Sequence, residues 1–371
     1  MRIAVTGATG NVGIALLSAL TGAGHEVVGL ARRPPRRHPP GPDRAAAERP
    51  VEQWAGVEWH SVDLTRAPGS VLRQAFRDAD AVVHLAWGFQ PTHDEAYLER
   101  LALGGTREVL AAVADSGVRH LLHMSSMGAY SPRPPDTAYD EVAATEDWPT
   151  DGVPTSPYSR HKAAAEKMLD GFRAEHPEVL ITRMRPVVIG QRPAVAGVLR
   201  YTLPALVPAG AIRLAKVLPL DRDLRLQLVH ADDVADAYRR AIEARAPGPF
   251  NLAADPVLTP ADIADALGAR HVHVPFQALR AAADLSWRAH LQQVDAGWLD
   301  MAWQLPRLDS TRASVHLGWQ PHKDGRVVLR EVVAGIREGA YGATPILRER
   351  RVSDGVLKAL TGRPVARRRK P

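Results

Sequence analysis

The sequence predicts an α/β fold: a doubly wound parallel sheet with a smaller, mostly helical C-terminal lobe. Three observations carry this reading. The first half alternates short apolar runs with longer amphipathic stretches, the rhythm of strand–helix–strand units. A glycine-rich turn, Thr6 to Gly13, separates the first apolar run from the first amphipathic stretch. From about Pro186 the rhythm gives way to irregular, proline-rich segments.

In order along the chain, strands are expected at Arg2–Thr6, Glu26–Leu30, Val57–His60, Ala81–Leu85, His120–Met124 and Val179–Arg183. Helices are expected at Val12–Thr21, Glu95–Asp115 and Ser159–Glu175. Strands alternating with helices at this spacing favour a parallel sheet covered on both faces. The proline-rich stretches Arg33–Pro50 and Ser131–Pro157 read as surface loops. Further on come a strand at Arg225–Val229, a helix from Ala231 to Ala244, a strand near Phe250–Leu252 and a helix at Pro260–Leu267. We therefore expect a dinucleotide-binding domain over residues 1–185 and a substrate-binding lobe over 186–340. That lobe should return one or two strands to the main sheet, and residues 341–371 form a basic tail.

Composition narrows the function. The chain of 371 residues is 45% hydrophobic and 24% charged, as in ordinary soluble domains. It has no uninterrupted apolar window of about 18 residues, so a membrane span is not expected. Met1-Arg2 runs directly into Ile3-Ala4-Val5, without room for a signal peptide, and a cytoplasmic location is expected. The absence of cysteine excludes disulfides, thiolate metal sites and Cys nucleophiles. The net charge is +6, but nine Lys/Arg against two Asp/Glu fall between Gly342 and Pro371, leaving the body near neutral. Neither nucleic acid nor membrane is an expected partner, and the tail reads as a solvated terminus. His271 and His273 share a strand face without a third ligand, so no metal site is expected.

The segment Ile3-Ala4-Val5-Thr6-Gly7-Ala8-Thr9-Gly10-Asn11-Val12-Gly13 is a strand, a turn and a helix start. Gly7 and Gly10 would let the backbone approach a pyrophosphate, and Gly13 would let the helix pack closely on the strand. Thr9, Asn11 and Val12 complete a turn whose free N–H groups and positive dipole end suit an anion. This is the phosphate loop of a Rossmann-type, dinucleotide-binding fold. At the end of the second strand Ala31 stands where an acidic residue would bind the ribose 2′-hydroxyl of NAD. Arg32 and Arg33 could instead pair with a 2′-phosphate, so NADP(H) is favoured, with NAD(H) possible.

Tyr158 and Lys162 stand four apart at the start of a helix, on one face. A phenol with its ordinary pKa near 10 is a poor acid/base at neutral pH, and an adjacent ammonium would lower it. Ser125 and Ser126 follow a strand end, at the sheet edge where ligands of such folds bind, and are equal candidates for holding a substrate oxygen. Trp87, Phe89 and His93 follow the fourth strand and are candidates for the substrate pocket. Trp287, Trp298 and Trp303 read as packing residues of the second lobe, with substrate contact as the alternative.

Taken together these residues resemble the extended short-chain dehydrogenase/reductases, the NAD-dependent epimerase/dehydratase family. The likeness runs from Met1 to about Pro321. It rests on Thr6–Gly13, Asp63-Leu64, Val83–Ala86, Ser125–Tyr130, Tyr158–Lys162, Arg185-Pro186, Val229–Val234, Asp309–Ala313 and Leu317–Pro321. It implies Ser126 as the catalytic serine, Tyr158 as acid/base, and Lys162 as the ribose-binding residue that lowers the Tyr158 pKa. Asp63 and Leu64 would contact adenine, Leu85, Ala86 and Trp87 would line the cofactor, and Pro186 to Val188 would border the nicotinamide. A monomer or homodimer acting on a small molecule is implied.

Three departures matter. Ala102 replaces the family's Asn before Leu103-Gly104-Gly105-Thr106; Val187 and Val188 follow Arg185-Pro186 where a polar residue is usual; Leu226 occupies the register of an Arg. An apolar pocket fits better than a nucleotide-sugar site. We therefore expect carbonyl/hydroxyl oxidoreduction. A sugar epimerase/dehydratase is the alternative, and a non-catalytic dinucleotide-sensing regulator the alternative of another class.

Overall fold

The computed structural model describes residues 1–35, 54–88, 93–202, 216–292 and 294–349. The first half follows the expected alternation: β1 (Arg2–Thr6), α1 (Asn11–Gly22), β2 (Glu26–Ala31), β3 (Glu58–Ser61), α2 (Gly69–Phe76), β4 (Ala81–His84), α3 (Glu95–Glu99), α4 (Gly105–Ser116), β5 (His120–Met124), β6 (Ala143–Ala144), α5 (Pro157–Glu175) and β7 (Leu180–Pro186). The second half adds β8 (Val188–Gly190), α6 (Val195–Thr202), β9 (Val217–Leu220), β10 (Leu226–His230), α7 (Ala231–Glu243), β11 (Gly248–Leu252), β12 (Ala254–Leu258), α8 (Pro260–Leu267) and β13 (Arg270–His273). It closes with α9 (Phe276–Arg288), α10 (Ala296–Gln304), β14 (Arg307–Leu308), α11 (Thr311–Leu317) and α12 (Gly325–Glu338).

The main sheet has seven strands in the order β11-β7-β5-β4-β1-β2-β3. Every neighbouring pair is parallel. Alternate side chains on each strand face opposite layers, and both layers are apolar. Ile3, Val5, Val83 and Leu122 pack with Leu16, Leu17 and Leu20 of α1 and with Val234, Ala237 and Tyr238 of α7. Ala4, Val82 and Leu121 pack with Phe76 of α2, Val109 and Val113 of α4, and Leu169 of α5. A sheet covered on both faces needs such near-continuous apolar strands, which is why the sequence shows runs there. Each fully buried Leu contributes roughly 1.5–3 kcal/mol.

Chain order reverses between β1 and β4. At such a switch point the connecting loops diverge to opposite faces and open a crevice at the carboxyl ends of the strands. Gly7, Arg32, Leu85, Ser125 and Val187 all leave the sheet at that edge.

One expectation is corrected. The helix expected over Glu95–Asp115 is divided by a π-helical turn at Arg100–Gly104. The Thr106 hydroxyl donates to the Ala102 carbonyl at 2.6 Å, a side-chain bond inside the turn at the position of the missing Asn. Of the one or two strands expected to return to the main sheet, one does, β11, beside β7. The strand at Leu226–His230, β10, instead pairs with β8 and β12 in a separate three-stranded sheet.

Candidate active site

The phosphate loop folds as its glycines require. Gly7 sits at φ +71°, and a Cβ there would lie 2.7 Å from the Ala86 nitrogen, so the turn after β1 rests directly on the residues after β4. A Cβ on Gly13 would lie 2.5 Å from the Gly7 carbonyl oxygen, which confirms its packing role. Gly10 is the N-cap of α1, and no side chain caps the helix. The N–H groups of the first turn are therefore left for an anion, which fits the residues to a dinucleotide pyrophosphate. Behind the loop the buried His84 ring joins Thr6 Oγ1 (2.7 Å) and Thr106 Oγ1 (3.2 Å), tying β1, β4 and α4 together.

α5 presents Tyr158 and Lys162, the candidate acid/base pair. Ser156 caps it, accepting from the Ser159 N–H, and Pro157 occupies its first turn. The Ser159 hydroxyl donates to the Gly128 carbonyl and accepts from the Val153 N–H, locking the helix start to the turn after β5. A Cβ on Gly128 would come within 2.9 Å of the Tyr158 ring, so the ring lies flat against bare backbone. The Ser126 hydroxyl is hydrogen-bonded to Tyr158 and accepts from the Gly128 N–H at 3.0 Å. Lys162 is buried; its ammonium donates to the Met124 carbonyl at 2.6 Å and lies 3.5 Å from the Trp87 ring centroid. Ser126, Tyr158, Lys162 and Trp87 thus come together at the carboxyl edge of β4 and β5.

The electrostatics differ from the sequence expectation. Burial pushes the Tyr158 phenol up to about 12, and the bond with Ser126 only partly opposes this. Lys162 does not lower it here. Its nitrogen is 5.9 Å from the Tyr158 ring centroid and faces Trp87 instead. Burial also drives the Lys162 ammonium well below its ordinary value, against the pull of Glu166. Desolvation outweighs the pair interaction.

Ser125 and Ser126 are no longer equivalent. Ser125 donates to Glu166 Oε1 at 2.5 Å. Glu166 is buried and also accepts from Arg183 (2.9 Å) and from Arg185 through both oxygens (2.9 and 3.1 Å). Burial alone would raise this carboxyl, but the Arg185 hydrogen bonds and charge outweigh it and hold it below the usual range. Arg185 in turn donates to the Tyr130 hydroxyl at 3.0 Å, which donates to Asn251 Oδ1 at 2.6 Å. Ser125 therefore belongs to the scaffold beneath the site. The likeness of Arg185-Pro186 and Tyr130 to family motifs was the only sequence signal for this network.

Around the rim, Arg32 follows β2 and donates to the Tyr97 hydroxyl at 2.8 Å, while Arg33 is exposed. Asp63 accepts from the Thr65 N–H and hydroxyl, and Leu64 is buried against Gly105. Thr9 and Val12 are buried, and Leu85 and Ala86 are half-buried after β4. Pro186 is buried at the end of β7, and Val188, 50% exposed, opens β8. His93 stacks on Trp287 at 4.6 Å and bonds its carbonyl, linking the two halves of the chain. Phe89 lies outside the described residues. The sequence favoured core packing over substrate contact for Trp298, and α10 lays its ring on Tyr158 with centroids 5.0 Å apart. Isolated tryptophan spacing carries no signal for such a contact. Among the described residues no group of three or more His, Cys, Asp or Glu is arranged to hold a metal, and no helix is long and apolar enough to cross a membrane.

The sheet order, the uncapped glycine turn and the Ser–Tyr–Lys group define a Rossmann-type protein of the short-chain dehydrogenase/reductase class. Residues 3–253 match the model of the NAD dependent epimerase/dehydratase family, and the chain belongs to that family. Among curated relatives, a UDP-glucose 4-epimerase of Mycolicibacterium smegmatis is 29% identical over 342 residues, covering 90% of this chain and 96% of its own. A 4-hydroxy-2-methyl-3-oxo-4-farnesyl-3,4-dihydroquinoline-1-oxide ketoreductase of Stigmatella aurantiaca is 27% identical over 364 residues, covering 93% and 99%. The crystal structure of UDP-glucose 4-epimerase from Thermus thermophilus with NAD has a TM-score of 0.64 at 21% identity, covering 91% and 99%, and shares the fold. The chain spans 30% of the length of larger relatives from Mycobacterium tuberculosis and Mycobacterium bovis that it also matches.

Proposed function

We propose that this chain is an NADP(H)-preferring oxidoreductase that reduces the carbonyl of an apolar or aromatic small molecule, or oxidises the corresponding alcohol. The observation that carries this reading is the hydrogen bond between Ser126 and the Tyr158 phenol, with Lys162 buried one turn along the same helix. The Tyr158 phenol would give its proton to a carbonyl oxygen or take one from an alcohol, and the Ser126 hydroxyl would hold that oxygen in place. The dinucleotide supplies or takes the hydride. Thr9, Gly10, Asn11 and Val12 would hold its pyrophosphate, Lys162 its ribose, Asp63 and Leu64 its adenine, and Pro186 and Val188 would border the nicotinamide. Residues 1–185 provide most of this site. Residues 186–340, through Trp298, would close over the substrate.

Arg32 supports the NADP(H) preference, because it follows β2 where no carboxylate stands to bind a ribose 2′-hydroxyl. Trp298 and Trp87 support an apolar or aromatic substrate, since both rings flank the acid/base pair. The second reading, an epimerase, is favoured by the Mycolicibacterium smegmatis relative.

The test is to titrate the purified protein with NADPH and NADH, then screen carbonyl substrates by nicotinamide absorbance. NADPH should bind more tightly, and Arg32→Ala should weaken NADPH about ten- to hundredfold while leaving NADH unchanged. Tyr158→Phe should lower kcat by about a hundred- to ten thousandfold. Preference for NADH, with no net cofactor turnover, would favour the epimerase. Failure to bind either dinucleotide would overturn both enzyme readings.

A further inference from the structure

The turn that should carry the pyrophosphate is fixed from the far end of the chain. The Thr344 hydroxyl donates to the Thr9 carbonyl at 2.8 Å, across 335 residues of sequence. Thr344 is only 1% exposed. The other end of that same peptide unit is held too, because the Gly10 N–H donates to the Gly7 carbonyl at 2.9 Å. With its C=O and N–H both fixed, the Thr9–Gly10 peptide plane cannot rotate. That plane sets the direction of the uncapped N–H groups that follow at Asn11, Val12 and Gly13.

Thr344 is itself held in a closed turn. Gly342 N–H donates to the Leu347 carbonyl at 2.7 Å and Leu347 N–H to the Thr344 carbonyl at 3.0 Å. Leu347 is buried, and a Cβ on Gly342 would meet the Leu347 Cβ at 2.7 Å and the Pro193 carbonyl at 3.4 Å. A second tie comes from the same half of the chain. Gln191 Nε2 donates to both the Asn11 carbonyl and Asn11 Oδ1 at 2.6 Å.

We infer that Gly342–Leu347 is a strap that sets the phosphate loop for dinucleotide binding, with Thr344 as its positioning residue. The inference rests on the dinucleotide-binding reading above. A strap that served stability alone would leave cofactor affinity untouched, whereas one that aims N–H groups at a pyrophosphate changes affinity and spares the chemistry at Tyr158.

The experiment compares full-length wild type, Thr344→Val and Thr344→Ser for NADPH affinity by tryptophan fluorescence, alongside turnover of any substrate found. Thr344→Val keeps the shape and removes the donor. It should raise the NADPH Kd and KM about tenfold while leaving kcat within about twofold, and Thr344→Ser should restore wild-type binding. In hydrogen exchange on the wild type, NADPH should slow exchange in residues 340–349 together with residues 7–14, a measurement that needs no variant to fold. Equal NADPH binding by wild type and Thr344→Val, or protection of the loop without the strap, would overturn the strap while leaving dinucleotide binding intact. A wild type that binds no dinucleotide would overturn both.

Discussion

Adjacent serines at the end of β5 have different partners, and this difference is the sharpest statement the structure makes at the scale of the residue. Ser125 turns into the sheet-facing scaffold and donates to Glu166, whereas Ser126 turns toward Tyr158. Ser125→Ala should therefore cost about 1.5–3 kcal/mol in urea-induced unfolding, the range for a hydrogen bond to a charged group, and leave kcat within about threefold. Ser126→Ala should do the reverse, with near-wild-type stability and kcat lowered about a hundredfold. If the two phenotypes were exchanged, the assignment of Ser126 to the substrate oxygen would be wrong. The sequence made Tyr158 and Lys162 legible through their spacing, but it left these serines equal. Strand polarity tells which edge a residue reaches, yet the last turn of backbone decides which way it faces.

At the scale of the element, α5 does two jobs on two faces. Its first two turns deliver Tyr158 and Lys162, and one turn later Glu166 anchors it to β7 through Arg183 and Arg185. A buried carboxylate among two guanidinium groups is tolerated only because each charge is paired. Glu166→Ala would leave Arg185 buried without its principal partner, and we expect a loss of about 3–5 kcal/mol by urea denaturation. A loss below about 1 kcal/mol would mean that water reaches Arg185 and that the network is not the anchor we describe. The sequence showed α5 as a helix with Tyr158 and Lys162 on one face. It did not show the second face: Arg185 was marked only by its likeness to a family motif, and its pairing with Glu166 exists only once β7 lies beside α5. On α10 the sequence left Trp298 between core packing and substrate contact, and the structure lays it on Tyr158.

The whole molecule should have a stability plateau bounded by buried rings. Burial, with help from Lys162, lowers His84 to about 3, and burial, with help from Arg245, lowers His120 to about 4. His123 is lowered for the same first reason. Unfolded histidines take up protons near pH 6.5, so stability present above that value is lost as pH falls from about 6.5 toward 3–4. His230 works against this trend. Asp232 and Glu331 outweigh its burial and raise it, so its contribution is present below about pH 6.5 and lost as pH rises through its folded value. Four lowered imidazoles, His161 being the fourth, against this one decide the sign. On the alkaline side burial raises Tyr130 and Tyr158 to about 12, so stability present below about pH 10 is lost as pH rises toward 12. A series of thermal melts from pH 3 to 12 should show Tm declining already below about pH 6.5 and again above pH 10. An acid limb that begins only near pH 4.5 would assign acid unfolding to carboxylates and not to the buried imidazoles.

By itself the sequence determined the alternating strands, the glycine turn after β1, the acid/base spacing at the start of α5 and the family these define. Those features are local. Periodicity, φ-permissive residues and short spacings depend on neighbours in the chain, so they survive without coordinates. The tertiary structure decided which strands share the main sheet, which serine faces Tyr158, why Lys162 lies over Trp87, and that Thr344 reaches Thr9. Each of these joins residues far apart in the chain, and burial, which fixes both their partners and their protonation, exists only once the chain has closed on itself.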